Sequence, residues 1–155
     1  MESHSENEHG PTAAREALEA LSSDRGRIGD RVTAETFWAA PSQGLGAAFI
    51  IGAPAAGLAG AWWPIILGLG IFIGVELLFR QRSGLSITLP AGPRGIWLLV
   101  ALTVIVTGSF VTSIIFALFG LTGWVIAVAA VAGVMTTFIV MAYDRTFAAE
   151  VRLAG

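Results

Sequence analysis

Two residues of opposite charge stand four positions apart at the end of a long apolar segment. Glu76 lies within the apolar run of residues 64–79, and Arg80 follows that run directly. On a helix, residues four apart share a face, and a glutamate that precedes an arginine is in the favourable order for an ion pair. A carboxylate inside an apolar span is also the residue type that couples protons or cations to transport. Glu76 therefore has two interpretations, a structural ion pair and a coupling site.

Depth along the helix separates the two interpretations. At ~1.5 Å per residue, Glu76 lies only ~6 Å inward of Arg80. Both side chains can reach the lipid headgroups from there, whereas coupling carboxylates normally lie nearer the middle of the bilayer. The position favours an ion pair that marks the end of a membrane span, and a coupling site is the alternative.

The remaining residue types offer little other chemistry. The chain has no cysteine, and its two histidines, His4 and His9, stand in an acidic, polar tail with no fixed geometry for a metal. We find no Ser-His-Asp set and expect no pair of carboxylates inside the apolar segments. A net charge of −2 leaves no basic stripe for nucleic acid. We therefore expect no enzyme, no metal or other cofactor, and no nucleic-acid partner.

The elements that position Glu76 are long apolar segments. Hydrophobic residues make up 55% of the chain and charged residues 13%, against about 45–50% and about 25% in soluble domains. A helix needs ~20 apolar residues to cross a bilayer, and four segments approach or exceed that length: residues 44–60, 64–79, 96–119 and 121–143. The sequence predicts an all-α integral membrane protein with four transmembrane helices over residues 43–144.

Short connections determine how these helices pair. Residues 60–64 form one turn, in which Gly60 can end a helix and Pro64 can begin the next. Residues 119–124 form an even tighter turn. Because neighbours joined so closely must run in opposite directions, we expect two antiparallel hairpins packed as a four-helix bundle.

The arginines predict the orientation of the bundle. Cytoplasmic loops of membrane proteins are enriched in Lys and Arg, and the two tight turns carry no charge. We therefore expect a multi-pass protein of the bacterial inner (plasma) membrane with both termini and the central loop in the cytoplasm. All nine arginines fall in those three regions: Arg15, Arg25, Arg27 and Arg31, then Arg80, Arg82 and Arg94, then Arg145 and Arg152.

The tryptophans and the single tyrosine agree with this orientation. Amphipathic aromatic rings are enriched at the two membrane–water interfaces. We expect these rings to act as interfacial anchors: Trp62, Trp63 and Trp124 at the outer turns, and Trp38, Trp97 and Tyr143 at the inner ends of the spans.

The first span is built largely from glycine and alanine and contains Pro54. Small residues allow close helix packing, and a proline inside a helix removes a backbone donor and kinks it. We expect a kinked, tightly packed helix, although transport sites also occur at spans interrupted by glycine and proline. Two other small-residue patches, Gly70 with Gly74 and Ala129 with Gly133, predict close contacts within the chain or between copies.

The residues outside the spans form polar regions. Residues 1–11 are too polar to bury a core, so we expect a disordered acidic tail. Residues 12–42 predict a cytosolic amphipathic helix and a linker, with two glycines breaking the helix near residues 22–29. Residues 145–155 predict a short cytosolic tail. The apolar positions of the amphipathic helix recur at a spacing near 3.5: Ala14, Leu18, Leu21, Ile28 and Val32.

Four stretches of the sequence carry a resemblance to known proteins. They are AREALEALSSDRGRIGDRV (14–32), ETFWAAPSQG (35–44), RQRSGLSITLPAGPRG (80–95) and YDRTFAAEVR (143–152). Together they resemble uncharacterised small four-span membrane proteins of high-GC Gram-positive bacteria. The resemblance implies a similar layout, and it implies no catalytic residues because that group has no established activity.

These observations leave two hypotheses for function. The first is a non-enzymatic interaction or regulatory membrane protein, whose cytosolic N-terminal helix engages a partner. The alternative is a small transporter or channel subunit that uses the kinked first span and Glu76. Besides the lipid bilayer, the partner is either further copies of the chain or a cytosolic or membrane protein.

Overall fold

The described residues form four α-helices and one short 3-10 segment. The computed structural model describes residues 9–57, 59–83 and 93–153, and within these ranges there is no strand. The all-α prediction is therefore confirmed for the described residues. The elements are α1 (His9–Gly52), the 3-10 segment (Ala53–Ala56), α2 (Trp62–Ser83), α3 (Pro93–Leu118) and α4 (Thr122–Leu153).

Three of these helices are long and apolar enough to cross a membrane. The qualifying segments are Trp62–Arg82 in α2, Pro93–Leu118 in α3 and Thr122–Ala149 in α4. They overlap the second, third and fourth predicted spans, and each is longer than the span that it overlaps. Within α4, residues 145–153 continue the helix, and the cytosolic location predicted for residues 145–155 stays a prediction.

Helix α1 differs from the sequence prediction because it is continuous. Its 44 residues run through the expected break near residues 22–29, through the expected linker and through Pro41. A glycine lowers helix propensity by about 1 kcal/mol relative to alanine, which the good helix formers on either side can outweigh. Residues 9–35, here called the arm, therefore form one rod with the packed residues 36–52. Residues 9–11 belong to this helix, and the rest of the predicted disordered tail lies outside the described residues.

Helix α1 occupies the centre of the bundle. It packs against α2 and α4, while α3 packs mainly on α4 and also touches α1; between described residues, α2 does not pack directly against α3 or α4. The helix order across the bundle is therefore α2, α1, α4, α3. We call the end that carries Arg80 and Arg82 the arginine end, and the end with residues 57–61 and 119–121 the turn end.

Glycines bring α1 close to both of its neighbours. A Cβ added at Gly133 of α4 would lie 2.9 Å from the Gly44 carbonyl oxygen of α1, and one added at Gly68 of α2 would lie 2.7 Å from the Gly46 carbonyl oxygen. Close backbone approach through small residues is how membrane helices gain packing energy, because no difference in hydrophobicity drives them together. The small residues predicted in the first span are therefore contact residues within the chain.

The best-packed part of the bundle lies in the middle of α1. Ala47 and Ile51 of α1 form a buried cluster with Ala129 and Ala132 of α4. Larger side chains from the other two helices close over this cluster: Phe72 from α2, and Val106 and Phe110 from α3. The centre of α1 is thus surrounded by protein, which fixes the part of the helix that lies between the arm and the turn end.

Pro54 ends α1 instead of bending it. The α-helix stops at Gly52, and Pro54 lies in the 3-10 segment, where its carbonyl accepts the Gly57 N–H at 3.1 Å. The chain therefore changes from α-helix to a 3-10 segment at the point where the kink is predicted. Because proline has no N–H, it fits the first turn of a new segment better than the interior of the old one. The chain then turns at Gly57, whose φ is 81°.

The connection between α3 and α4 is a glycine-capped turn. Gly120 has a φ of 71°, its N–H donates to the Ala117 carbonyl, and the Leu121 N–H donates to the Phe116 carbonyl. These two bonds form a Schellman motif, which needs a residue in the left-handed region at the position of Gly120. The turn lies within the predicted residues 119–124.

Candidate functional site

The structure places Glu76 and Arg80 together at the arginine end of α2. The Arg80 Nε donates to the Glu76 Oε1 at 2.5 Å, and the side chains are 51% and 45% exposed, respectively. The contact follows from the helix itself, because residues four apart lie on one face. A pair this exposed neutralises the charge of Glu76 locally and contributes little to stability.

Glu76 also lines a partly open cavity to which all four helices contribute side chains. The cavity has a volume of about 190 Å³. Its polar side chains are Gln43 of α1, Glu76 of α2, and Tyr143 and Asp144 of α4. The rest of its wall is apolar: Ala39, Phe79, Leu98, Leu99, Leu102, Ile139 and Val140.

The cavity is a consequence of the helix order. Since α2 packs on α1 and does not reach α3 within the described residues, a space remains between these two helices at the arginine end. Gln43 and Glu76 also line a second, more open groove of about 390 Å³, together with Phe72, Ile73, Leu77 and Arg80. Glu76 therefore stands between a groove that contains its arginine partner and a cavity that contains a second carboxylate.

The second carboxylate, Asp144, is buried between α1 and α4. Its side chain belongs to a residue that is only 8% exposed, and its Oδ2 accepts a hydrogen bond of 2.6 Å from the Thr36 hydroxyl. Thr36 is itself buried, at the base of the arm. The bond joins two residues 108 positions apart in the chain. It connects the residue that follows the arm in α1 to the wall of the cavity.

Asp144 is the residue that the sequence analysis missed. The expectation of no carboxylate pair concerned the apolar segments themselves; Asp144 stands directly after the last of them and lines one cavity with Glu76. The available signal was an acidic residue between Tyr143 and Arg145 at the end of the last apolar segment. Charged residues also stand at the end of an ordinary membrane span, so this signal did not single out a site. Nothing in the sequence indicates that the Thr36 hydroxyl is the hydrogen-bond partner of Asp144.

No basic side chain pairs with Asp144 in the described part of the chain. The ion pairs found there are Glu76 with Arg80 and Asp24 with Arg27, and the neighbouring Arg145 is exposed. A buried charged group normally needs a counter-charge and hydrogen bonds. Asp144 has one hydrogen bond and a cavity beside it.

The aromatic side chains occupy both ends of the bundle. Trp62, Trp63 and Trp124 are exposed at the turn end, and Trp97 is exposed at the start of α3. The ring of Trp38 differs, because the Arg82 guanidinium lies 5.5 Å from its centroid and its Nε1 donates to Glu35. Tyr143 is half-buried and lines the cavity.

Two buried hydroxyls lie outside this site. The Ser113 Oγ and the Thr136 Oγ1 are enclosed by the bundle and have no hydrogen-bond partner among the described residues. Neither residue lines the cavity. Near the turn end, a groove of about 460 Å³ has only apolar residues in its wall, among them Phe49, Trp63 and Ile126.

Comparison of the chain with known protein families, curated proteins and solved structures finds no match. The resemblance to small four-span membrane proteins therefore stays a prediction. In the described ranges, no three His, Asp or Glu side chains come together as metal ligands would.

Proposed function

We propose that α1 supplies a fourth membrane span, so that the chain crosses the bilayer as two antiparallel hairpins. Support comes from the position of residues 36–56, which run between two helices that are themselves apolar enough to cross. About 20 residues at ~1.5 Å each reach ~30 Å, which matches the hydrocarbon thickness of a bilayer. The outward faces also need an apolar surrounding, since Ile73, Val104 and Phe138 are each more than half exposed.

The proposed orientation places the arginine end and both termini in the cytoplasm of the plasma membrane, as the positive-inside rule requires. The absence of cysteine makes this easy to test. Single cysteines at Ala59, in the turn before α2, and at Gln81, in the last turn of α2, replace exposed residues. They should react with a membrane-impermeant maleimide from opposite sides of the membrane. Reaction of both from the same side would contradict the proposed topology.

The function that we propose is that of a non-enzymatic interaction or regulatory protein whose arm engages a partner. The observation that carries it is the continuity of α1, because one unbroken helix runs from the exposed arm to the packed centre of the bundle. At ~1.5 Å per residue the arm is ~40 Å long, and its Leu18 is 66% exposed. A partner that binds such an arm can transmit force or tilt to the membrane domain.

Photocrosslinking in native membranes tests this function. A photoreactive amino acid at Leu18 should yield an adduct with a distinct protein, identifiable by mass spectrometry. The matched control is the same amino acid at Val131, which is 61% exposed on α4 and should react with lipid. Adducts at Leu18 with further copies of the chain alone would contradict a separate partner and favour a homo-oligomer.

A second candidate function, a small transporter or channel subunit, is favoured by the cavity that contains Glu76 and Asp144. Carboxylates within membrane helices commonly mark ion or proton pathways. In vesicles with an entrapped pH dye, the reconstituted protein should conduct protons or couple their movement to an organic cation. Glu76→Gln should reduce this flux, whereas Glu16→Gln in the arm should not. Equal flux in both variants would remove Glu76 from the pathway.

A further inference from the structure

The cavity between the four helices combines two carboxylates with apolar walls. Glu76 and Asp144 are its charged members, and aliphatic side chains from α3 and α4 face them across the space. We propose that this cavity binds a small organic ammonium ion, with an apolar body of roughly one aromatic ring. The proposal gives a ligand class to the second candidate function and rests on the same cavity.

The charge balance selects a single positive charge. Arg80 pairs with Glu76 at 2.5 Å, so that carboxylate already has its cation. Asp144 has no basic partner in the parts of the chain that the structure describes. One uncompensated carboxylate calls for one positive charge, because buried charges are stable when paired and hydrogen-bonded.

Hydrogen bonding leads to the same conclusion. Asp144 is only 8% exposed, and its Oδ2 accepts from the Thr36 hydroxyl at 2.6 Å. Its Oδ1 has no hydrogen-bond partner among the described residues. Since Asp144 lines the cavity, an ammonium N–H placed there can donate to this second oxygen. An amine supplies both the charge and the donor, and its apolar body matches the aliphatic part of the wall.

The size and lining of the cavity define the rest of the ligand. A dry apolar cavity of ~150 Å³ is known to bind benzene, and this one measures about 190 Å³. Leu98, Leu102 and Ile139 lie in its wall and can pack against an aromatic ring but offer no hydrogen bonds. Benzylammonium, which is charged at neutral pH, has both required parts.

Tyr143 provides a direct measurement of binding. It is the only tyrosine in the chain and lines the cavity, so 3-fluorotyrosine gives a single ¹⁹F resonance at the site. The protein in nanodiscs of phosphatidylglycerol, a lipid without an ammonium group, is titrated with benzylammonium and separately with neutral benzyl alcohol. We expect a saturable shift with the amine and an affinity for the alcohol at least about tenfold weaker, because charge-assisted hydrogen bonds are the stronger kind.

Variants assign the effect to the cavity. Asp144→Asn should weaken benzylammonium binding at least about tenfold through loss of the charge-assisted bond, whereas Asp24→Asn in the exposed arm should leave it unchanged. Leu102→Trp fills the cavity without altering either carboxylate, so it should also abolish the ¹⁹F shift caused by benzylammonium. This variant serves as the test if Asp144→Asn does not fold. Equal affinity for amine and alcohol, or no saturable shift with the amine, would overturn the proposal. Binding of benzylammonium without any flux in vesicles would support the binding site and would contradict only the proposed transport function.

Discussion

The Thr36 hydroxyl donates a 2.6 Å hydrogen bond to the Asp144 carboxylate, and this bond joins the base of the arm to the wall of the cavity. Both residues are buried. Any tilt of the arm relative to α4 must change this contact. The arm and the cavity, which support two different proposals for function, are therefore physically linked.

Removal of the Thr36 hydroxyl should destabilise the protein. Thr36→Val keeps the shape of the side chain but leaves the buried Asp144 Oδ2 without a donor, which costs about 1–3 kcal/mol. The measurement is the free energy of unfolding in mixed micelles. Thr103→Val is the control, because the Thr103 hydroxyl is exposed and donates within its own helix to the Leu99 carbonyl. Equal stability of the two variants would mean that the bond contributes little.

The same substitution at Thr136, threonine to valine, should have the opposite effect on the free energy of unfolding. The Thr136 hydroxyl is buried and has no hydrogen-bond partner in the described part of the chain, so it carries a desolvation penalty without compensation. Thr136→Val removes that penalty at nearly constant volume and should raise the free energy of unfolding by up to about 1–2 kcal/mol. A loss of stability similar to that of Thr36→Val would reveal a partner that this conformation does not contain.

Apolar length made three of the helices predictable. Segments such as residues 96–119 and 121–143 can satisfy their backbone polar groups in a bilayer only as helices, and α3 and α4 occupy them. The tight turn over residues 119–124 was also predicted, and Gly120 caps α3 there in the left-handed conformation. Local chemistry determines these features, so the sequence is enough to predict them.

The continuity of α1 and the position of Asp144 were not predictable in the same way. Gly26 and Pro41 are local signals for a helix break, and the structure overrides both. Ala39 and Ala40, the residues just before Pro41, are buried, so packing holds the helix together there. Asp144 meets Thr36 only because α1 and α4 pack side by side, and no spacing in the sequence records that contact.

A methyl group at Gly133 should separate α1 from α4. A Cβ there would lie 2.9 Å from both the Ala48 Cβ and the Gly44 carbonyl oxygen, and the backbone atom cannot rotate away. We expect Gly133→Ala to lower the free energy of unfolding by about 1–3 kcal/mol, the usual range for overpacking. In Gly108→Ala, the added Cβ meets nothing within 4 Å, so that variant should be neutral or slightly stabilising. Equal effects would show that the helices can move apart freely.

Neutralisation of Glu76 should separate its two interpretations. As an exposed helical ion pair with Arg80, it contributes at most about 1 kcal/mol, so Glu76→Gln should unfold almost like the wild type. Arg80→Gln is the matched variant, and the double variant completes a double-mutant cycle. A coupling energy above about 1 kcal/mol between the two residues would contradict an exposed ion pair. If Glu76→Gln keeps its stability but loses cation binding or flux, the carboxylate serves the cavity. If it keeps stability, binding and flux, Glu76 serves chiefly to mark where α2 reaches the lipid headgroups.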